Sequence, residues 1–162
     1  MTKQKQSGFT LIETLVYLGL FSILMGGSLV CVYGVLETSA NTRARSELQE
    51  EGDFLIEKFD WALSGASSVV VSPHTISINK YGYGQNPLQF AIAGSNISLQ
   101  QGSAPAVLLN ARSTQVTSSA FTDIPSTNNI PEGAEFSIAL SKNSDNGKTM
   151  TQTFSLTKYL PQ

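Results

Sequence analysis

This sequence has little charge. Asp, Glu, Lys and Arg make up 14% of its 162 residues, and the formal net charge is −2. No basic excess points to nucleic acid, and no acidic run points to a basic partner. There is one cysteine, Cys31, so no disulfide can form within the chain and cysteine usage does not fix the compartment. There is one histidine, His74, which excludes a multi-histidine metal site within a single chain. No proline occurs between Phe9 and Ser72, so a helix there meets no such break. The length suits one modest domain plus an appendage.

What is present first is a long apolar run. From Thr14 to Leu36 no residue carries a formal charge. At about 1.5 Å per residue, a helix over that run covers roughly the 30 Å hydrocarbon core of a bilayer. Few folds of this size can bury an all-round apolar helix of that length. Lys3 and Lys5 precede the run, whereas Arg43 and Arg45 follow it at a distance and among acids. That asymmetry favours a cytoplasmic N-terminus and an exported C-terminal domain.

Three membrane-targeting readings compete. A secretory signal peptide has a shorter apolar region, although Thr38 and Ala40 imitate its small-residue cleavage site. A lipoprotein signal would make Cys31 the lipidated residue, but Val30 stands where that signal needs a small side chain. The third reading puts the processing site ahead of the run, at Gly8.

The stretch Gly8-Phe9-Thr10-Leu11-Ile12-Glu13 favours the third. A short basic leader is followed by Gly, Phe, three residues, Glu and then about twenty apolar residues. This order resembles the leader and mature start of type IV pilins and of type II secretion pseudopilins. The resemblance implies cleavage after Gly8 by a prepilin peptidase and N-methylation of Phe9. It also implies an assembly contact between Glu13 of one subunit and the Phe9 amine of a neighbour. The physics of Glu13 agrees. A carboxylate at the bilayer centre costs several kcal/mol. Glu13 would lie only about one helical turn in, near the headgroups, at the helix end whose dipole favours an anion. In a packed, apolar filament the acid would still need a partner.

The helical pattern continues beyond the run. Leu48, Leu55, Ile56, Phe59 and Leu63 share one helix face, and Glu47, Glu50, Asp53, Glu57, Lys58 and Asp60 fall largely elsewhere. One helix is expected from about Phe9 to about Leu63, roughly 80 Å long. Glu57 could meet Trp61 or Lys58 locally, with little energy. Gly19, Gly26, Gly27, Gly34 and Gly52 each weaken the helix by up to about 1 kcal/mol. In the membrane they could allow close helix contact, but no GxxxG motif is present. Gly65 is a plausible stop. Major type IV pilins often carry a helix-kinking proline where Val30 stands here, and that departure favours a minor subunit.

After Ser67 the period changes to two. Ile76 and Ile78, then Leu88, Phe90 and Ile92, then Ile97 and Leu99 alternate with polar or small residues. So do Phe136, Ile138 and Leu140, and finally Phe154 and Leu156. Each reads as a half-buried strand. Asp145-Asn146-Gly147 is a hairpin signal between the last two. Gly82-Tyr83-Gly84, Gly94-Ser95-Asn96 and Gly102-Ser103 mark earlier turns, and Asp123 to Gly133 reads as a loop with Pro125 and Pro131. The expected class is α+β: a long N-terminal helix, its first half transmembrane, packed on a C-terminal antiparallel sheet. The layout loosely resembles the J-type minor pseudopilins.

No catalytic site is expected. His74 has no Ser or Cys partner at a motif spacing and reads as a turn residue beside Pro73. Some pseudopilins hold calcium in an acidic loop, but Asp123, Glu132, Glu135 and Asp145 are scattered and lack that spacing. Lys80-Tyr81-Gly82-Tyr83-Gly84 suits a glycine-rich turn better than a nucleic-acid platform, although pilins can serve DNA uptake. No cofactor is called for.

The sequence thus divides into a leader at 1–8, a transmembrane and assembly helix at 9–36, its amphipathic continuation at 37–66 and an exported β domain at 67–162. The expectation is a minor pilin or pseudopilin. Its partners would be a prepilin peptidase, other subunits, an inner-membrane assembly platform and, before assembly, lipid. A signal-anchored receptor or adhesin that never joins a filament is the alternative.

Overall fold

The computed structural model describes residues 10–127 and 131–160. Its first element is one helix, α1 (Leu11–Leu63), of 53 residues. The chain divides into two compact units between Ser39 and Ala40, inside this helix.

In the first unit the helix is exposed almost throughout. From Leu11 to Ser39 only Glu13 is even partly covered. This stretch has the length and composition to cross a membrane. Several of its Ser and Thr hydroxyls are turned back onto its own backbone. Thr14 donates to the Leu11 carbonyl at 2.9 Å, Ser22 to Leu18 at 2.8 Å and Ser28 to Met25 at 2.9 Å. A hydroxyl satisfied in this way costs little in hydrocarbon. Cβ atoms built on Gly19, Gly26, Gly27 and Gly34 would meet nothing within 4 Å.

The second unit is built around the rest of α1. Eight strands follow: β1 (Ala66–Ser72), β2 (Thr75–Lys80), β3 (Leu88–Ala93), β4 (Asn96–Gln101), β5 (Val107–Leu108), β6 (Thr114–Ile124), β7 (Gly133–Asn143) and β8 (Thr149–Tyr159). The α+β expectation holds, with the strands shared between two antiparallel sheets. One has the order β1-β2-β3-β4-β5, the other β6-β7-β8. The helix stops at Leu63, and Gly65 takes φ +76°, the left-handed conformation of a helix stop. The stretch read as a loop is shorter than expected, because Asp123 and Ile124 complete β6 and Gly133 opens β7.

The core joins the helix face to both sheets. Leu48, Leu55, Phe59 and Leu63 are buried, as their spacing predicts. Phe59 is the hinge of the packing. Its ring meets Phe90 of the first sheet edge-on at 5.3 Å and stacks on Phe136 of the second at 4.5 Å. Gly52 is fitted against Phe154: a Cβ there would lie 2.1 Å from the ring. Two lysines from the sheets supply the cations that the last turn of α1 lacks. Lys80 Nζ donates to the Trp61 carbonyl at 2.6 Å, and Lys158 Nζ to the Asp60 carboxylate at 2.5 Å and Ser64 Oγ at 2.6 Å.

The connections are equally specific. Ser144 and Lys148 close the last hairpin by a 2.8 Å bond, with Gly147 at φ +79° inside it. Asn110 is buried between β5 and β6. Its Oδ1 accepts from the Ile97 amide at 2.9 Å, and its Nδ2 donates to the Thr114 carbonyl at 2.9 Å.

Candidate functional site

The described part of the N-terminal motif starts at Thr10, so Gly8 and Phe9 lie outside the described residues. Thr10 opens the helix. Its carbonyl accepts from the Glu13 amide at 3.1 Å and the Thr14 amide at 3.2 Å, and its Oγ1 lies 3.4 Å from the Glu13 amide. Thr10 is therefore the N-cap and Glu13 the third helical residue. Thr-x-x-Glu is the pattern of a capping box. The reading of the sequence passed over this, although the four residues carry the signal.

Glu13 is the one half-covered side chain in an otherwise exposed stretch. Tyr17, one turn further on, places its hydroxyl 3.5 Å from Glu13 Oε1, a long contact. The carboxylate thus sits in the first turn, where unpaired amides and the helix dipole both favour an anion. Around it stand Leu11 and Ile12, exposed by 81% and 71%. Burying one such side chain is worth about 1.5–3 kcal/mol. This geometry can present one negative charge at the end of an apolar rod.

The other candidates are dispersed or already engaged. His74 is exposed in the two-residue turn between β1 and β2. Asp123, Glu132, Glu135 and Asp145 are not gathered, and no metal-binding group occurs among the described residues. Lys80 lies 4.3 Å over the Trp61 ring while bonding the helix end, so the Lys-Tyr-Gly-Tyr stretch spends its cation internally. Cys31 is free and exposed.

The acids on the second half of α1 find distant partners. Glu47 pairs with Lys142 of β7, and that ammonium, by hydrogen bond first and by charge second, holds the carboxyl below its ordinary range. Glu51 accepts from the Ala111 amide at 2.5 Å. Lys58 lies over the Phe54 ring at 5.4 Å, whereas Glu57 makes no ion pair among the described residues.

Comparison with known families adds one finding. Residues 3–29 match the prokaryotic N-terminal methylation motif. The chain thus carries a prepilin-type N-terminal motif. The match supports the type IV pilin and pseudopilin family. It implies processing by a prepilin peptidase and assembly with other pilins. Together with the apolar helix, it supports membrane anchoring. The matched residues end at 29 and so say nothing of the β domain. No curated protein and no solved structure matches this chain.

Proposed function

We propose that this chain is a minor pilin or pseudopilin, a structural subunit of a type IV pilus or type II secretion-like filament. The observation that carries the reading is the order of parts at the N-terminus. A basic leader, Gly8, Phe9, a capped first turn holding Glu13 and an uncharged helix follow one another without interruption. The chain first sits in the inner membrane with a cytoplasmic N-terminus and its β domain exported. A prepilin peptidase hydrolyses the Gly8–Phe9 peptide bond, which frees an amine on Phe9. N-methylation leaves that amine able to carry a proton and a positive charge. An inner-membrane assembly platform then moves the helix from lipid into a bundle of like helices.

Transfer from lipid to bundle exchanges one apolar surrounding for another, so bulk hydrophobicity does not choose the register. A charge pair can. Glu13 of one subunit would meet the Phe9 amine of the next, and any other stagger would leave both charges unpaired in an apolar environment. The absence of proline near Val30 and the loose J-type layout favour a minor subunit over a major one.

The test is intact mass and N-terminal peptide mass of the chain from its own membranes. The mature chain is expected to start at N-methylated Phe9. A persisting Met1 or Thr2 start, with an active prepilin peptidase present, would sink the filament reading in favour of a plain signal anchor. The Glu13→Ala variant should insert and be cleaved, yet be depleted in sheared filaments. Normal incorporation of Glu13→Ala would remove the proposed pair.

A further inference from the structure

The two sheets leave β1, β5, β6 and β8 at their edges. β1 and β6 lie against each other, with Cα atoms within 8 Å. Each also carries a break in register, between Ala66 and Ser68 and between Val116 and Ser118. β5 is only two residues long. Covering, bulging and shortness are the usual ways in which a sheet edge is protected. β8 has none of them. It runs for 11 residues, Thr149–Tyr159, and its register with β7 is unbroken.

The bonds that flank β8 fix which way its backbone faces. Before the strand the Ser144 amide donates to the Lys148 carbonyl at 2.8 Å, and after it the Leu160 amide donates to the Glu132 carbonyl at 2.7 Å. Even-numbered residues therefore turn their amides and carbonyls towards β7. Thr149, Thr151, Thr153, Ser155, Thr157 and Tyr159 turn theirs outward, where they meet no strand among the described residues. The side chains of the same residues are exposed, and none is charged. The one charge in the strand, Lys158, points the other way, to Asp60 and Ser64. A long edge without bulge, proline or charge is a template for a further strand. β8 also runs beside α1 in the same direction: Gln152 meets Gln49 and, further on, Lys158 meets Asp60. Between helix and strand lies a cleft of about 550 Å³, bordered by Arg45, Leu48, Met150 and Gln152. This flank carries Arg45 but also Asp53, which accepts from Gln49 at 2.9 Å, so it favours neither sign of charge.

We propose that β8 receives an added strand from a different prepilin-type subunit: an uncharged, extended segment whose backbone pairs with the outward groups of Thr149–Tyr159. An open row of alternating donors and acceptors is the complement of another polypeptide backbone. Every second side chain of the added strand would point towards α1, over the cleft beside Met150. The backbone bonds supply the affinity, and the cleft chooses a neutral side chain. A second copy of this chain fits the edge poorly. Antiparallel pairing of two β8 edges would set the two α1 helices in opposite directions, whereas copies inserted alike in one membrane share a direction. β8 lies beside the helix through which subunits assemble, so a neighbouring subunit is the nearest source of a strand. The inference rests on the minor-subunit reading and adds the edge that holds the neighbour.

Photo-cross-linking in cells that assemble the filament tests it, with a benzophenone side chain placed at Thr153. A cross-link to a different prepilin-type subunit is expected, and the attached peptide should lie in an uncharged β segment. In parallel, Thr153→Pro removes an amide that β7 does not use, and Ser155→Lys puts a charge on the edge. Both variants should still melt cooperatively as full chains in detergent, yet fall about tenfold in sheared filaments. Thr153→Ser, which keeps the amide, should incorporate normally. If Thr153→Pro loses cooperative melting, Ser155→Lys alone decides. Cross-links to copies of this chain, to a protein without the prepilin-type motif, or to nothing overturn the added strand. So does normal incorporation of the folded variants. These results leave the filament reading standing while the processed parent chain is present in filaments. Absence of the parent chain from filaments overturns both.

Discussion

Thr10 caps α1 through its carbonyl and hydroxyl, and Glu13 stands three residues on in the first turn. Glu13 stands out because it is a charge next to an apolar run. Its Thr10 cap does not stand out, because a threonine there looks like any other small polar residue. Further along, Gly52 reads as a weak point in a helix, whereas its true role is steric. Its partner Phe154 is far away in the sequence, and no local pattern announces the fit. Gly52→Ala gains about 1 kcal/mol of helix propensity but forces the Phe154 ring to move, at about 1–3 kcal/mol. A lowered denaturation midpoint is expected, partly recovered when Phe154→Leu is added. A Gly52→Ala variant more stable than its parent would refute the steric role.

The Glu47–Lys142 pair makes a second prediction at this scale. Its folded carboxyl lies below the ordinary value of 4.5, so the unfolded chain binds this proton more readily than the folded one. Stability from the pair is complete above 4.5 and is lost as pH falls through the lowered folded value. Glu47 is 45% exposed, so solvent screens the effect. Glu47→Gln should flatten the acid side of a melting temperature against pH profile by slightly lowering the neutral-pH midpoint while leaving the acid end nearly unchanged. An unaltered acid slope would contradict the pairing.

At the scale of elements, legibility followed periodicity. The strands β2, β3, β4, β7 and β8 carry alternating apolar residues, and their spacing marked them. Strand β1 contains Val69, Val70 and Val71 in a row, which have no period of two. In β6 the register shifts between Val116 and Ser118, and small polar residues fill the exposed face. The division into two sheets left no local trace either, because it depends on which strands meet across the core. Phe59 belongs to the helix face that the spacing gave, but its place between Phe90 and Phe136 is a tertiary fact. The same holds for Asn110, whose side chain joins β4 to β6 through backbone groups of both. Asn110→Ala leaves the buried Ile97 amide without this partner and should cost about 1–3 kcal/mol. Hydrogen exchange should then quicken at Ile97 and its β4 neighbours before it does in β7. Unchanged protection there would mean that the asparagine is dispensable.

At the scale of the whole molecule, two solvents act on one chain. Among the described residues none up to Ser39 is buried, so this apolar stretch needs lipid, detergent or other subunits around it. Among the described residues, the buried ones begin at Ala44 and run to Leu160. Packing against the sheets, rather than helix propensity, stabilises residues 44–63 as a helix, since short helices alone are marginal in water. A chain beginning at Ala40 should therefore stay soluble without detergent and unfold cooperatively. Its midpoint should lie within about 4 °C of that of the full chain in detergent, a stability difference on the order of 1 kcal/mol. Broad, non-cooperative melting of that chain would mean that the first unit helps to hold the β domain together. Cooperative melting would mean that residues 40–162 reach their fold as a unit without the stretch before them.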